Sequence, residues 1–159
     1  MPEHLLARRV YEVFTRRGHT LATAESCTGG LIGHLVTSVP GSSEYYIGGI
    51  IAYSNAVKRD VLGVPEELLR AVGAVSPECA EAMARGVRAL LKTEYAVATT
   101  GIAGPGGGTP TKPVGLVYIA CAGPEGTVVE EHRFRGDRWK NIAQAAEAAL
   151  HLLLRVAGE

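Results

Sequence analysis

The sequence predicts a single α/β domain in three layers, with helices on both faces of a mixed, mostly parallel sheet of about five strands. Short apolar runs rich in β-branched and aromatic residues, typical of buried strands, alternate with longer stretches whose apolar residues recur every three or four positions, as in helices. The 159 residues are a normal length for one domain. Because neither an internal repeat nor a linker interrupts them, we expect one domain over residues 1–159.

The first half of the chain alternates helices with strands. Helical spacing from His4 to Arg17 predicts an amphipathic helix that stops at Gly18. The unbroken apolar run Tyr45–Tyr53 predicts a strand buried on both faces. The predicted elements are a helix over 4–17, a strand over 18–22, a polar turn over 23–30, a helix over 31–38 and the strand over 45–53. A short helix follows: Ser54 or Asn55 caps it, it runs through Lys58 and Val61, and Gly63 ends it.

The second half predicts three helices and three strands. Pro65 opens a short helix, and Ser76-Pro77 places a cap and a first-turn proline before a helix that runs to about Lys92. The turn Gly123–Gly126 joins two strands, which are therefore antiparallel, and the alternation of the second is typical of an edge strand. The remaining elements are strands over 95–100, 114–121 and 127–134, a glycine-rich loop over 101–113, and a helix from the cap Asp137 to about Val156.

Composition excludes several classes of function. Sixteen basic and sixteen acidic residues cancel, so the chain lacks the positive charge of a general nucleic-acid binder or a membrane-surface protein. No apolar run approaches the roughly 18 residues of a membrane span. Three separated cysteines and scattered histidines predict reduced thiols and no metal site. Since Met1–His4 also lacks a basic signal-peptide start, we expect a cytoplasmic protein.

Polar clusters follow three predicted strands, at the end of an α/β sheet where ligands bind. They are Glu25-Ser26-Cys27-Thr28 before Gly29-Gly30, Tyr53-Ser54-Asn55 with Lys58, and Thr99-Thr100-Gly101. Ser26 could be a nucleophile activated by Lys58, provided that burial keeps the lysine neutral. Three other interpretations stay open: the serine is a plain helix cap, the lysine is a solvated helix residue, or Cys27 is the nucleophile.

The glycine-rich loop and the start of the last helix are weaker signals. The run Gly101–Gly108 is neither a dinucleotide-binding fingerprint nor a phosphate-binding Walker loop, because Lys112 is followed by Pro113 instead of by Ser or Thr. We therefore predict neither a bound dinucleotide cofactor nor an ATPase. Arg138 could clamp a phosphate beside the helix start, or it could be a surface charge.

Six segments, in order along nearly the whole chain, resemble the C-terminal domain of the CinA family. They are Ala24-Glu25-Ser26-Cys27-Thr28-Gly29-Gly30, Tyr53-Ser54-Asn55 with Lys58, Gly73-Ala74-Val75-Ser76, Thr100-Gly101-Ile102-Ala103-Gly104-Pro105, Lys112-Pro113-Val114-Gly115 and Gly136-Asp137-Arg138. Longer members carry an additional N-terminal domain of molybdopterin-biosynthesis type. Its absence here implies the stand-alone form, a nicotinamide-nucleotide amidase.

The resemblance implies hydrolysis of the carboxamide of nicotinamide mononucleotide (NMN) to nicotinic acid mononucleotide and ammonia, in the recycling of NAD. It implies a cytoplasmic homodimer with no cofactor and a sheet like that of anticodon-binding domains. The family's nucleophile falls on Ser26, its base on Lys58 and its assisting tyrosine on Tyr53. Nucleotide contacts fall near Thr28, Asn55, Thr100, Arg138 and the glycine loop with Gly101 and Gly104, and the amides of the Thr28-Gly29-Gly30 turn would hold the oxyanion.

Two other functions compete with an amidase. The same anion-binding turns would serve a nucleotide-binding module without catalysis. The name of the family suggests an interaction protein in competence or DNA damage, although the neutral charge argues against direct DNA contact.

Overall fold

The computed structural model describes residues 3–158 and the side chains of 4–158. Met1 and Pro2, which carry part of the expectation about a signal peptide, lie outside the described residues, as does Glu159. The elements in order are α1 (Glu3–Arg17), β1 (Leu21–Glu25), α2 (Leu31–Thr37), β2 (Tyr46–Ile51), α3 (Asn55–Asp60), α4 (Glu66–Ala71), α5 (Pro77–Leu91), β3 (Tyr95–Gly101), β4 (Leu116–Gly123), β5 (Gly126–Arg133) and α6 (Arg138–Val156).

The five strands form one mixed sheet in the order β2-β1-β3-β4-β5, which confirms the predicted α/β class. The pairs β1–β2 and β1–β3 are parallel, and β3–β4 and β4–β5 are antiparallel. The predicted hairpin and the edge position of its second strand are both confirmed.

Two hydrophobic cores lie on opposite faces of the sheet. Helices α1, α2 and α6 cover the face that carries the larger strand residues, among them Leu21, Val97 and Ile119. Helix α5 covers the other face, where alternate strand residues are alanines, such as Ala22, Ala24 and Ala96. Because alanine side chains are short, α5 can lie close to the strands. The side chains of successive strand residues point to opposite faces of the sheet and so alternate between the two cores.

The chain reverses its direction of winding at β1. From β1 it passes through α2 on one face to β2, and from β2 it passes through α5 on the opposite face to β3, on the other side of β1. A crevice for ligands forms at such a switch point, outside the carboxyl ends of the strands. Ser26 is the first residue after β1, so the topology alone places it at this crevice.

Two predictions about strands were wrong. The first strand spans Leu21–Glu25 instead of 18–22, because the residues after α1 form a turn in which the His19 amide donates to the Phe14 carbonyl. The strand β2 is not buried on both faces: it is an edge strand, and Ile47 and Ile51 are 52% and 56% exposed. An unbroken apolar run does not distinguish a central strand from an edge strand.

No helix among residues 3–158 combines the length and the apolar character that a membrane crossing requires.

The hydroxyl of Tyr45 leads to a prediction about stability. It is the buried side-chain polar atom of the described chain that has no hydrogen-bond partner, whereas the neighbouring Tyr46 hydroxyl is bonded to Thr23 Oγ1 at 2.6 Å. An unsatisfied buried polar group is unfavourable. We therefore expect Tyr45→Phe to raise the free energy of unfolding by about 1 kcal/mol, and the matched control Tyr46→Phe to lower it by about 1 kcal/mol, in urea titrations. A lower stability for Tyr45→Phe would contradict this interpretation.

Candidate active site

The three polar clusters meet in one cleft at the carboxyl ends of β1, β2 and β3. The cleft encloses about 200 Å³. Seven of the predicted site residues line it, and Cys27, Ala74, Val75 and Ala103 complete its wall. The seven are Ser26, Tyr53, Asn55, Lys58, Thr100, Gly101 and Arg138.

Ser26 and Lys58 are in direct contact. Lys58 Nζ donates to Ser26 Oγ at 3.0 Å and to the backbone carbonyl of Tyr53 at 3.1 Å. This contact depends on the start of α3. Ser54 Oγ accepts from the Val57 amide and so caps the helix, and Lys58, in this short helix, faces the interior. Lys58 is 2% exposed, which rules out the solvated-lysine interpretation.

Burial lowers the pKa of Lys58, and the nearby thiols of Cys79 and Cys27 act in the opposite direction. A lowered pKa favours the neutral amine, which has a lone pair and can accept a proton. Burial has the reverse effect on the adjacent thiol and raises the pKa of Cys27 to about 12. Because only a thiolate is a strong nucleophile, the site favours Ser26 over Cys27.

Tyr53 contacts the lysine through its backbone and not through its phenol. The side chain is 63% exposed at the mouth of the cleft, where its hydroxyl accepts from Arg138 Nη2 at 3.2 Å. The assisting role that the family resemblance implies for Tyr53 has no contact of the phenol with Ser26 or Lys58 behind it among the described residues, because residue 53 follows the edge strand β2 and its side chain is exposed. The orientation of Lys58 is set by the Tyr53 carbonyl instead.

Arg138 links the mouth of the cleft to the glycine loop. Its Nη1 donates to the Gly104 carbonyl at 2.6 Å, and Asp137 caps α6 by accepting from the Lys140 amide at 2.9 Å. Gly104 itself does not line the cleft. It has φ +90°, and a Cβ there would lie 2.4 Å from Val114 Cγ1, so a side chain would displace the loop that Arg138 holds.

The turn after Ser26 differs from the prediction that Gly29 and Gly30 amides hold an oxyanion. The Gly29 amide donates to the Ser26 carbonyl at 3.1 Å, and the Gly30 amide donates to Glu25 Oε1 at 3.2 Å. The Thr28 hydroxyl also donates to Glu25 Oε1, at 2.6 Å, and is buried. The protein's own carboxylate therefore takes the position at the start of α2 that the sequence suggested for a ligand.

Sequence reasoning missed two residues that shape the site, Glu25 and Asn141, and it gave Thr100 only a contact to the nucleotide. Glu25 directly precedes Ser26, and an acidic residue before a helix start is a signal from which its role could have been predicted. The Thr100 hydroxyl donates to the Ala74 carbonyl at 2.8 Å and holds the far wall of the cleft. Buried Asn141 donates to the Ala103 carbonyl at 2.9 Å and anchors the glycine loop. Nothing in the spacing of Asn141 marked it as different from an ordinary helix residue.

Among residues 3–158, no three His, Cys, Asp or Glu side chains lie close enough together to hold a metal ion.

Comparison with known proteins identifies one family. The sequence matches the family described as the CinA C-terminal domain over residues 3–157. A CinA-like protein from a Synechococcus species is 52% identical over 157 residues, which are 97% of this chain and 37% of that protein. The chain spans about a third of the length of the curated relatives it matches.

Solved structures agree with the sequence match. The crystal structure of the competence/damage inducible protein CihA from Agrobacterium tumefaciens superposes with a TM-score of 0.96 at 42% identity, covering 98% of this chain and 96% of that one. A competence-damaged protein (CinA) superfamily structure from Klebsiella pneumoniae gives a TM-score of 0.95 at 34% identity, covering 99% and 98%.

Proposed function

Because the chain belongs to the family of CinA C-terminal domains, we propose that it is an amidohydrolase that converts NMN to nicotinic acid mononucleotide and ammonia, with Ser26 as nucleophile and Lys58 as base. The observation that carries the proposal is the 3.0 Å contact between Lys58 Nζ and Ser26 Oγ in a buried site. A hydroxyl needs a base within hydrogen-bond distance before it can attack an amide. The buried lysine meets this requirement without a histidine.

The orientation of the amine suits proton transfer. A neutral lysine has two N–H bonds and one lone pair. When one N–H donates to the Tyr53 carbonyl, 3.1 Å away, the lone pair can face Ser26 Oγ and accept its proton. The alkoxide then forms a bond to the carboxamide carbon, and the C=O electron pair moves onto the oxygen.

Collapse of this intermediate breaks the C–N bond. The protonated Lys58 returns its proton to the leaving nitrogen, which departs as ammonia and leaves a nicotinoyl ester on Ser26. A water molecule attacks the ester with Lys58 again as base, and the carboxylate product leaves as Ser26 recovers its proton. The sequence of steps consumes one water and requires no oxidant or reductant.

The size of the cleft supports a pyridine ring as the buried part of the substrate. Its volume of about 200 Å³ is below the roughly 300–1,000 Å³ of pockets that enclose a whole drug-sized ligand. A nucleotide would therefore place its carboxamide and ring inside and its phosphate at the mouth. Arg138 lines the mouth with a guanidinium that has five N–H donors, of which two bonds to Gly104 and Tyr53 use only a part.

Arg138→Gln tests this placement of the phosphate. The loss of a charge-assisted contact to phosphate should raise KM for NMN about 10- to 100-fold and change kcat less. The same substitution should have little effect on hydrolysis of nicotinamide riboside, which lacks the phosphate. Lys140→Gln removes a charge from the exposed first turns of the same helix and is the matched control. Equal losses with both substrates would show that Arg138 shapes the loop and does not bind phosphate.

The reaction itself is tested by incubating the protein with NMN and measuring ammonia by a coupled assay and the acid product by chromatography. We expect equimolar amounts of the two products. If the protein binds NMN in calorimetry and releases no ammonia, the chain is a nucleotide-binding module and the amidase proposal is wrong. The relatives' names refer to competence and damage, but the formal net charge of +0 does not favour direct contact with DNA.

A further inference from the structure

We infer that Glu25 is a positioning residue for Ser26: it binds the amides at the start of α2 and so holds the turn in which the Cys27 and Thr28 amides become the oxyanion donors. The inference rests on the proposed amidase function. Glu25 lies at the end of β1, directly before Ser26, and is 2% exposed. A carboxylate is rarely buried so completely unless its oxygens are paired.

The carboxylate of Glu25 accepts four hydrogen bonds, all from the segment that carries the proposed nucleophile. Oε1 accepts from Thr28 Oγ1 at 2.6 Å, from the Gly30 amide at 3.2 Å and from the Ile32 amide at 2.9 Å. Oε2 accepts from the Gly33 amide at 3.0 Å. Since these donors extend from the turn into the first turn of α2, the side chain fixes the turn and the helix start relative to β1.

Two glycines lie beside this carboxylate, at positions where a side chain would be crowded or strained. A Cβ at Gly33 would lie 3.0 Å from the Tyr46 hydroxyl and 3.7 Å from Glu25 Oε2. Gly30 has φ +104°, a conformation in which a side chain would be strained. The arrangement around the carboxylate therefore depends on glycine at positions 30 and 33.

The hydrogen bonds also fix the direction of a buried chain of hydroxyls. The only hydroxyl proton of Thr28 is directed to Glu25, so in the 2.8 Å contact between Thr28 Oγ1 and Thr99 Oγ1 the donor is Thr99. This second contact ties the turn to the adjacent strand β3. The Ser26 amide donates to the Thr99 carbonyl at 3.0 Å, which holds the nucleophile's backbone to the same residue.

Few amides of the turn are then left for a substrate. The Thr28 amide has no acceptor among residues 3–158, and the Cys27 amide contacts its own thiol sulfur, a weak acceptor. Cys27 and Thr28 are the next two residues after Ser26, and the amide of the residue directly after a nucleophilic serine is a recurrent oxyanion donor. The amides already bonded elsewhere are those of Ser26, Gly29, Gly30, Leu31, Ile32 and Gly33.

The test compares Glu25→Gln with Tyr46→Phe. Glutamine keeps the size of the side chain but replaces one acceptor oxygen with an NH₂ group that opposes the donors of the turn. Tyr46 borders the same small cavity next to Glu25, and its substitution leaves the turn's donors in place. Two experiments are made on folded, monodisperse protein. The first measures kcat and KM for NMN. The second measures the rate at which a fluorophosphonate reagent modifies the protein, and mass spectrometry identifies Ser26 as the modified residue.

For Glu25→Gln we expect kcat to fall about 100-fold with KM within about threefold, because misplaced oxyanion donors act on the transition state. Modification by the fluorophosphonate, which passes through a similar anionic oxygen, should slow by a comparable factor. Tyr46→Phe should keep both rates. If Glu25→Gln reacts like Tyr46→Phe, the inference is wrong, and the carboxylate serves only the stability of the fold.

Two further outcomes separate this inference from the proposed function. If wild type reacts with the fluorophosphonate but does not hydrolyse NMN, the proposed substrate fails, and the rate of modification still decides the role of Glu25. A wild-type chain that the reagent leaves unmodified overturns the serine nucleophile and the inference together. If Glu25→Gln does not fold, Thr28→Val, which removes one of the four donors, should slow the modification, and an unchanged rate would overturn the inference.

Discussion

Replacement of Ser26 with alanine is expected to reduce ammonia release from NMN by at least about 10⁴-fold, since it removes the atom that forms the acyl intermediate. Ser26 Oγ is the hydroxyl that Lys58 Nζ contacts, and a small methyl group in its place leaves the rest of the cleft intact. The Kd for NMN should change little. The measurement is single-turnover ammonia release with calorimetry of NMN binding on the same preparation.

The control for this prediction is Cys27→Ala. Cys27 is the other candidate nucleophile in the wall of the cleft, and burial raises its pKa to about 12. Its thiol should therefore be protonated and unreactive, and its loss should cost less than about tenfold in kcat. If Ser26→Ala remains active while Cys27→Ala is inactive, the serine–lysine mechanism is wrong and the thiol is the nucleophile.

The meeting of three polar clusters could be predicted from the sequence because parallel strands share an edge. Ser26, Lys58 and Thr100 are far apart along the chain, but Ser26 and Lys58 follow β1 and β2 and Thr100 lies near the end of β3. Because these three strands are parallel neighbours, the proximity of the residues follows once the strands are assigned. The prediction needed no knowledge of side-chain positions. It depended on the period of the apolar residues and on the polar residues that interrupt them.

The direction of individual side chains could not be predicted. The sequence does not show that Tyr53 follows an edge strand, and therefore it does not show that Lys58 contacts the backbone carbonyl of Tyr53 instead of its phenol. Likewise, the anion at the start of α2 is supplied by Glu25, whose role depends on where β1 ends. An error of three residues in a strand boundary is enough to move this carboxylate from the strand into a turn. The homodimer implied by the family resemblance stays a prediction.

Lys58→Met is the second substitution with a large expected effect. Methionine is close to lysine in length and apolar, so the buried site should accept it and the protein should remain folded. Without the amine, no group accepts the proton of Ser26, and kcat should fall about 10³-fold or more. Thermal melting measures the folding, and the coupled ammonia assay measures kcat. Lys92→Met, on an exposed lysine at the end of α5, is the matched control and should keep both.

The pH dependence of the wild-type rate distinguishes a base from a merely structural lysine. Burial lowers the pKa of Lys58, so the neutral amine forms at a lower pH than the roughly 10.4 of a free lysine. The rate needs the neutral form, and kcat/KM should therefore rise tenfold per pH unit below this pKa and level off above it. The residual rate of Lys58→Met should lack this rise, because the titrating group is gone. A wild-type profile that is flat from about pH 6 to 9, with chemistry shown to be rate-limiting, would count against Lys58 as the base even if its substitution abolished activity.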